Sequence, residues 1–322
     1  MLKKFRKQIF TAALCCLSGM AWAQAWPSKT VTIVVPFPAG GTTDVLARAV
    51  SSKLSAAIGQ AVIVDNKPGA GATLGADLVA KAPADGHTLL MGAVHHTVAT
   101  SVYKNLRYNF EKDFAPITTV ALVPNVMTVS AKSPYNSAKD VVAAAKANPD
   151  KLAYGSNGNG TAQHMIGTQF QMETGATVLH VPYKGSAPLT TDLLGGQVDM
   201  SFATITPVLP FIKEGKLKAL AVTTAKRSST LPNVPTLQEA GVPNIAIGTW
   251  FGLLAPAATP KAVVTRLNAE VVKIINSSEF KKQMADIGAE PVGNKPEDMA
   301  KQIREETEKF AQLIKVGKVT LD

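Results

Sequence analysis

The chain has 322 residues, which is enough for one large domain or for two lobes that each bury a core. Hydrophobic residues make up 46% of the chain and charged residues 17%, a composition that excludes intrinsic disorder. The net charge is +10, partly from cations at the start of the chain, and no block of Lys and Arg interleaved with aromatic residues occurs. This argues against nucleic acid as a partner.

Residues 1–23 have the pattern of a secretory signal peptide. Four cations precede an apolar run, 9–20, and Ala21-Trp22-Ala23 places small residues at the two positions that a signal peptidase reads. Cleavage after Ala23 removes both cysteines and leaves a net charge of +6. The mature chain would then contain no cysteine, which excludes thiol nucleophiles and cysteine metal sites. The alternative, a membrane anchor, is less favoured because no longer apolar span follows.

The next residues alternate strand-like and helical runs, which is typical of an α/β protein. Apolar spacing predicts strands at 31–35, 61–64 and 88–91, and helices at 43–58 and 74–81. Strands joined by crossover helices predict a mostly parallel sheet.

The middle of the chain continues this alternation and the end departs from it. Strands are predicted at 125–130, 152–154, 178–181, 198–202 and 218–222, and helices at 137–147, 161–173 and 189–194. An extended run at 245–255 then precedes amphipathic helices at 262–276, 279–287 and 296–314. We expect two lobes, 24–122 with 249–322 and 123–248, joined by two crossings, with a ligand cleft between them.

A glycine-rich loop, PFPAGGTTD, leads from the first strand into the first helix. Gly40 and Gly41 allow the backbone to approach a ligand closely, while Thr42, Thr43 and Asp44 are typical of a first helical turn. Free N–H groups at such a helix start favour an anion, and a carboxylate would suit the site. The alternative is a plain capped turn. The loop lacks the Lys-Ser/Thr pair of a P-loop.

A second loop of the same kind, YGSNGNGTAQH, spans 154–164 between a predicted strand and helix. Ser156, Asn157 and Thr161 offer short polar groups beside free N–H donors, which predicts a second anion or polar contact. The alternative function is a secreted hydrolase with Ser156 as nucleophile and His164 as base. The Gly-x-Ser-x-Gly pattern fails at Tyr154, and no orienting acid can be identified.

Two further stretches invite other chemistry. Residues 69–75 have the spacing GxGxxxG, one residue longer than a dinucleotide fingerprint, so close backbone packing is the favoured interpretation. His95 and His96 follow a predicted strand, yet no ligands at helical spacing accompany them, so no metal is expected. Either histidine can hydrogen bond to a ligand carboxylate or serve the core.

Nine motifs in order resemble the Bug, or TctC-like, substrate-binding proteins of tripartite tricarboxylate transporters. The resemblance covers the chain from Trp26 to the C-terminus. One departure lies after the third strand, where His95-His96 replaces the Asn-Pro pair of typical members. The motifs are PFPAGGTTD, NKPGAGATLGA, ADGHTLL, YGSNGNGTAQH, HVPYKGSAP, LLGGQVD, GKLKALAV, LPNVPTLQEAG and APAATP.

The resemblance implies a monomeric periplasmic binding protein of the type II-like, Venus-flytrap kind, with no enzymatic activity and no cofactor. It implies capture of a small carboxylate, such as an amino acid, a di- or tricarboxylate or an aromatic acid. It also implies delivery to a permease with one large and one small subunit. The family's ligand loops correspond here to Pro38, Ala39, Gly40, Gly41, Thr42, Asp44, Val94, His95, Thr97, Ser156, Asn157, Gly160, Thr161, His164 and Thr204.

Overall fold

The computed structural model describes residues 26–317 and residue 319, so the predicted signal peptide and its cleavage site lie outside the described part of the chain. The strands are β1 (Val31–Val35), β2 (Val62–Asn66), β3 (Thr88–Ala93), β4 (Phe114–Ser130), β5 (Ala153–Ser156), β6 (Leu179–Pro182), β7 (Met200–Thr204), β8 (Leu217–Val222), β9 (Gly248–Pro256) and β10 (Glu290–Pro291).

Helices alternate with these strands and follow the last of them. They are α1 (Thr42–Ile58), α2 (Thr73–Ala80), α3 (His95–Val102), α4 (Ala138–Ala147), α5 (Ala162–Thr174), α6 (Ser186–Gly195), α7 (Ile205–Lys213), α8 (Lys261–Asn276), α9 (Ser278–Asp286) and α10 (Pro296–Val316). A short 3₁₀ turn, Ala70–Ala72, precedes α2.

Local sequence signals set several helix ends. Helix α1 ends at Gly59, whose φ of 70° is left-handed and favours glycine. Helix α4 begins with a capping box in which Ser137 and Asp140 bond each other's backbone N–H groups. Helix α7 carries Pro210 in its interior, a residue that disfavours helix, and the sequence patterns did not predict this helix.

The sheet is mixed, and the expectation of a mostly parallel sheet is wrong. Its order is β2-β1-β3-β9-β4-β7-β5-β6, and β8 and β10 also pair with β4. Strand β1 is parallel to β2 and β3, and β5 is parallel to β6 and β7. Every pairing of β4 and β9 is antiparallel. These two strands insert between the parallel groups, which the βαβ pattern does not predict.

Strand β4 belongs to both halves of the sheet. Residues 114–124 pair with β9, whereas Asn125 to Ser130 pair with β7 and β8. We call β1, β2, β3, β9 and β10 the first half and β5 to β8 the second half. The return passage from β8 enters β9 at Gly248, opposite Pro124. The lobe boundaries at 122/123 and 248/249 stay a prediction.

Two hydrophobic cores cover the two faces of the sheet. Along β1, Val31, Ile33 and Val35 enter one core, while Val34 enters the other, as the two-residue period of a strand requires. Helices α1, α8 and α9 pack on the first face, and α5 and α10 pack on the second.

Candidate functional site

A small pocket lies where the two halves of the sheet meet, and we call it the inner pocket. Both glycine-rich loops reach it, as does the turn after β3. The residues that line it are Phe37, Pro38, Gly41, Thr42, Thr43, His95, Asn157, Gln163, Ser186, Thr204 and Phe251. None of them is Asp, Glu, Lys or Arg, so the side chains around the pocket carry no formal charge while His95 is neutral.

Five helices begin at the inner pocket. Gly41 precedes α1, His95 opens α3, Gln163 lies in the first turn of α5, Ser186 opens α6 and Thr204 precedes α7. A helix N-terminus presents free N–H groups and a partial positive charge of about half an elementary charge. Their convergence makes the pocket electropositive without a basic side chain, an arrangement that suits an anion.

Direct hydrogen bonds join the two halves across this pocket. Thr42 Oγ1 lies 2.8 Å from Thr204 Oγ1, and both threonines are buried. The cavity volume is about 20 Å³, enough for about one water molecule. A small organic acid is many times larger. In this conformation the inner pocket is therefore too small to hold such a molecule.

His95 spans the same junction. Its Nδ1 accepts a hydrogen bond from the backbone N–H of Ala162 at 3.0 Å, so the proton of the neutral ring is on Nε2. Burial, helped by the neighbouring His96, lowers the pKa of His95 to about 3. The neutral ring is held edge-on by Phe37, with the ring centroids 5.2 Å apart. His95 thus accepts one hydrogen bond across the junction and keeps one N–H donor on a ring that lines the pocket.

His96 turns the other way, into the core. It is fully buried, and its ring stacks on Phe110 at a centroid distance of 5.0 Å. Its Nδ1 bonds to the backbone of Ala93. The sequence left open which histidine of the pair faces the cleft. The structure assigns His95 to the cleft and His96 to a packing role.

Ser156 pairs with a histidine other than the one expected. Its Oγ lies 2.6 Å from Nε2 of His180, while His164 Nδ1 accepts from the backbone N–H of Gly160. The Ser156 side chain is fully buried and also bonds to the backbone of Gly158. In the described part of the chain no carboxylate bonds to His180. Ser156 therefore shapes the loop and lacks the exposure of a nucleophile.

The two imidazoles beside this loop stack on each other. The rings of His164 and His180 lie 4.2 Å apart at 10°, and Tyr154 stacks on the far side of His180 at 4.8 Å. Burial lowers the pKa of His164 to about 4 and that of His180 to about 3, the latter helped by His164. Both rings are neutral near pH 7, so the stack supports the second glycine-rich loop without adding charge.

Asp44 holds the first loop and does not line the inner pocket. Its carboxylate accepts from the backbone N–H of Gly40 at 3.0 Å, from the Arg48 guanidinium and from the Asn66 amide. These bonds outweigh burial and keep the pKa of Asp44 below its ordinary value. Asn66 also donates to the carbonyl of Phe37. Asp44 is a positioning residue for the loop.

Six of the residues expected at the site line the inner pocket: Pro38, Gly41, Thr42, His95, Asn157 and Thr204. Ala39 and Gly40 are exposed at the rim, whereas Val94, Thr97, Gly160 and Thr161 are buried behind it. The hydroxyls of Thr97 and Thr161 bond to the carbonyls of Val94 and Gly158. Whether any of these residues contacts a ligand stays a prediction.

Five lining residues were not among the predicted ligand-binding residues, namely Phe37, Thr43, Gln163, Ser186 and Phe251, although Thr43 had been placed in the first helical turn of the glycine-rich loop. Gln163 and Ser186 lay within quoted motifs, and their positions in first helical turns could have singled them out. Gln163 is 1% exposed, and its Oε1 has no hydrogen-bond partner among the described residues. Oδ1 of Asn157 is likewise buried without a partner there. Both amide oxygens can therefore accept a hydrogen bond from a donor group of a bound molecule.

Other kinds of site find no support in residues 26–317 and 319. No group of three or more His, Cys, Asp or Glu side chains in this range could hold a metal ion. Across the same residues, no helix is both long enough and apolar enough to cross a membrane.

Comparisons with known proteins agree on one family. A family model described as "Tripartite tricarboxylate transporter family receptor", TctC, matches residues 46–319. The periplasmic binding protein BugD is similar in structure, with a TM-score of 0.87 and 37% identity over 92% of this chain and 99% of that chain. The expected fold class, an α/β periplasmic binding protein, is confirmed.

Two similar structures contain carboxylates. A protein of R. palustris with adipate has a TM-score of 0.89 and is 37% identical, over 92% of this chain and 99% of that chain. MatC of Rhodopseudomonas palustris with bound malate has a TM-score of 0.85 and is 32% identical, over 90% of this chain and 99% of that chain. The chain belongs to the TctC family of receptors of tripartite tricarboxylate transporters, as its sequence motifs predicted.

Proposed function

We propose that the mature chain is a periplasmic receptor that captures a small carboxylate between two lobes and delivers it to a tripartite tricarboxylate-type permease. One observation carries the ligand class: five helix N-termini converge on a pocket that no acidic side chain lines. A carboxylate there gains several charge-assisted bonds to neutral donors, which are stronger than bonds between neutral groups. The adipate and malate in similar proteins support this class.

The two halves take complementary parts in binding. From the first half, the loop ending in Gly41 and Thr42 offers backbone N–H groups and a hydroxyl. From the second half, Ser186 and Thr204 offer hydroxyls. The hydrogen bond between Thr42 and Thr204 must break when a ligand enters, and each hydroxyl then bonds to the ligand instead. Binding and closure are coupled in this way, since only the closed form completes the set of contacts.

A matched pair of threonine substitutions tests this proposal. Thr204→Val removes a lining hydroxyl, and the affinity for a bound carboxylate should fall about 10- to 100-fold, because a hydrogen bond to a charged group contributes about 1.5–3 kcal/mol. Thr206→Val is the control. Thr206 is also buried and lies in the first turn of α7, the helix that Thr204 precedes, but its hydroxyl has no hydrogen-bond partner among the described residues.

The assay is a thermal-shift screen against mono-, di- and tricarboxylates, followed by calorimetry of each hit. A ligand that binds only the folded state raises the melting temperature. We expect Thr206→Val to bind like the parent. Equal affinities for the parent and Thr204→Val would contradict the proposed pocket, and the absence of any binding acid would contradict the ligand class.

Export to the periplasm and delivery to a permease are tested by separate experiments. Export predicts that the protein recovered from the periplasm begins at Gln24, which intact-mass measurement can check. Delivery predicts that uptake of the bound acid by vesicles carrying a cognate permease depends on the loaded receptor. Uptake that is equally fast without the receptor would count against delivery and leave ligand capture intact.

A further inference from the structure

The last helix, α10, is anchored on the first half of the sheet. Its 21 residues span about 31 Å, since an α-helix rises about 1.5 Å per residue. Near its start, Met299 packs so closely on Gly252 of β9 that a Cβ added to the glycine would lie 2.6 Å from Met299 Cε. Further along, the Glu306 carboxylate accepts a hydrogen bond from the indole N–H of Trp250, also in β9. These contacts hold the first three turns of α10 against the first half.

The other end of α10 lies on the second half. Gly317, which follows the last turn, contacts helix α5: a Cβ added at Gly317 would lie 2.8 Å from Cγ2 of Thr168 and 3.2 Å from Sδ of Met172. The φ of Gly317 is −75°, which any residue can adopt, so the backbone conformation does not require glycine here. The missing side chain instead permits the close approach of α10 to α5. One helix therefore bridges the two halves outside the inner pocket.

Helix α5 meets elements of the first half at both of its ends. At its start, the backbone N–H of Ala162 donates to Nδ1 of His95 at 3.0 Å, and Gln163 lines the inner pocket. Near its end, Thr168 and Met172 contact the last residues of α10. The 13 residues of α5 form one continuous helix, which moves as a single body. A displacement of its far end by α10 is therefore transmitted to the residues at the inner pocket.

We infer that the end of α10 is a strap that holds the second half against the first, so that the contact between Gly317 and α5 sets how readily the receptor closes on its ligand. The inference rests on the proposed function, in which binding and closure are coupled. Because the first three turns of α10 are anchored on the first half, the strap cannot follow α5 when the halves part. The contact with α5 is then made only in the closed form.

Gly317→Ala tests the strap by overfilling its contact with α5. The added methyl group pushes Thr168 and Met172 away, which destabilises the closed form and lowers the fraction of the protein that is competent to bind. Calorimetry with the tightest-binding acid of a mono-, di- and tricarboxylate screen should show an affinity about 5-fold lower than the parent's. The melting temperature of the ligand-free protein should stay near the parent's, because the crowding is relieved by opening rather than by unfolding.

Thr168→Ser is the matching suppressor. Serine lacks Cγ2, the atom nearest to the added Cβ, but keeps the hydroxyl that hydrogen bonds to Tyr154. In the double variant, Gly317→Ala with Thr168→Ser, most of the lost affinity should return, which a double-mutant cycle measures as coupling between the two positions. Gly195→Ala is the control. It also adds a methyl group at a helix end of the second half, but there the nearest atom lies 3.9 Å from the new Cβ, so the affinity should match the parent's.

Three outcomes would count against the strap, and they differ in what else they affect. Parental affinity in Gly317→Ala would overturn the inference while the receptor proposal stands. A loss of affinity that Thr168→Ser does not reverse would also overturn it, because the added Cβ lies 3.0 Å from the Leu313 carbonyl and the damage would then lie within α10 itself. If no carboxylate binds the parent, the proposed function fails and the inference fails with it.

Discussion

At the scale of single residues, the pocket depends on neutral groups held in one protonation state or orientation. His95 is the clearest case, because its Nδ1 must stay unprotonated to accept from Ala162. Burial ensures this by lowering its pKa far below neutrality. Thr42 and Thr204 likewise act through hydroxyls that can donate to a ligand or to each other. In the proposed function, selectivity for anions comes from hydrogen-bond donors and helix N-termini rather than from ion pairs.

The adjacent histidines should separate in function when each is replaced. His95→Ala removes the acceptor for Ala162 and a donor in the pocket, so we expect carboxylate affinity to fall about 10-fold with a smaller loss of stability. His96→Ala leaves a cavity beside Phe110, so we expect a lower melting temperature and near-parental affinity. Calorimetry and thermal melts of both variants check this. Identical affinities for His95→Ala and the parent would contradict the role assigned to His95.

The sequence predicted the residue types of this site better than their contacts. Glycines and threonines at 40–42 and 156–161 marked the loops that meet at the pocket. Hydrogen bonds between residues that are distant in sequence could not be predicted. Ser156 bonds to His180, 24 positions away, and not to His164 on the adjacent helix, because β5 and β6 are paired strands. The separation of the two residues in sequence does not predict that pairing.

At the scale of elements, the segment 69–72 is the most strained part of the cleft. Four consecutive residues have positive φ, and two of them, Ala70 and Ala72, are not glycine. Such conformations cost about 1–2 kcal/mol for a residue with a Cβ. At Gly71, an added Cβ would collide with the Tyr103 hydroxyl and lie 2.6 Å from the Asn159 carbonyl oxygen. The strain is therefore located where the halves touch.

Replacing this glycine should weaken binding more than it weakens folding. Gly71→Ala obstructs the contact with Asn159, so we expect about 5-fold weaker binding together with the modest stability loss of an alanine at positive φ. Gly175→Ala is the matched control, since its φ of +65° is similar and nothing lies within 4 Å of the added Cβ. Thermal melts and calorimetry separate the two effects. Equal losses of affinity in both variants would refute a closing contact at Gly71.

Element boundaries followed the sequence closely where apolar periodicity was strong. The predicted strand 31–35 is β1, and the predicted helices 262–276 and 296–314 match α8 and α10 within two residues. Strand β4 was recognised only from Asn125 onward, although it begins at Phe114. Pro116 and Pro124 interrupt its strand signal, and the register shifts close to Pro116. Helix α3 was missed because its eight residues carry neither a side-chain cap nor a glycine stop.

At the scale of the whole molecule, four buried histidines make stability depend on pH. Burial holds the pKa of His95 and His180 near 3, and those of His96 and His164 near 4, against about 6.5 in an unfolded chain. The unfolded chain therefore binds more protons below pH 6.5. Each histidine lowers the free energy of unfolding by up to about 1.4 kcal/mol per pH unit as the pH falls. Glu306, whose pKa burial raises, acts in the opposite direction.

The expected result is a melting temperature that falls from pH 7 to pH 5, a window in which ordinary carboxylates remain ionised. Thermal melts at half-unit intervals measure the slope. The variant His164→Gln, which can still accept from Gly160, should show a shallower slope than the parent. A melting temperature that is the same at pH 7 and pH 5 would contradict the assigned neutral state of these rings.

The expectation of two lobes concerned the whole molecule. It was incomplete because the pairing of strands that are distant in sequence could not be predicted. Alternating strands and helices predicted the α/β class, and the family motifs predicted a periplasmic binding protein. The mixed sheet could not be anticipated, because β9 returns more than a hundred residues after β4 and pairs with it along 114–124. The small volume of the inner pocket depends on the same return, since Phe251 of β9 forms part of its wall.

The most direct test of the central claim is titration calorimetry of the mature protein, from Gln24 onward, with the best acid of a carboxylate screen. The account predicts saturable binding of one ligand per chain, with the acid recovered chemically unchanged from the complex. Conversion of the ligand on the protein would contradict the account. The protein should also be unfolded and refolded to release any retained ligand, and failure of every mono-, di- and tricarboxylate to bind it then would equally contradict the account.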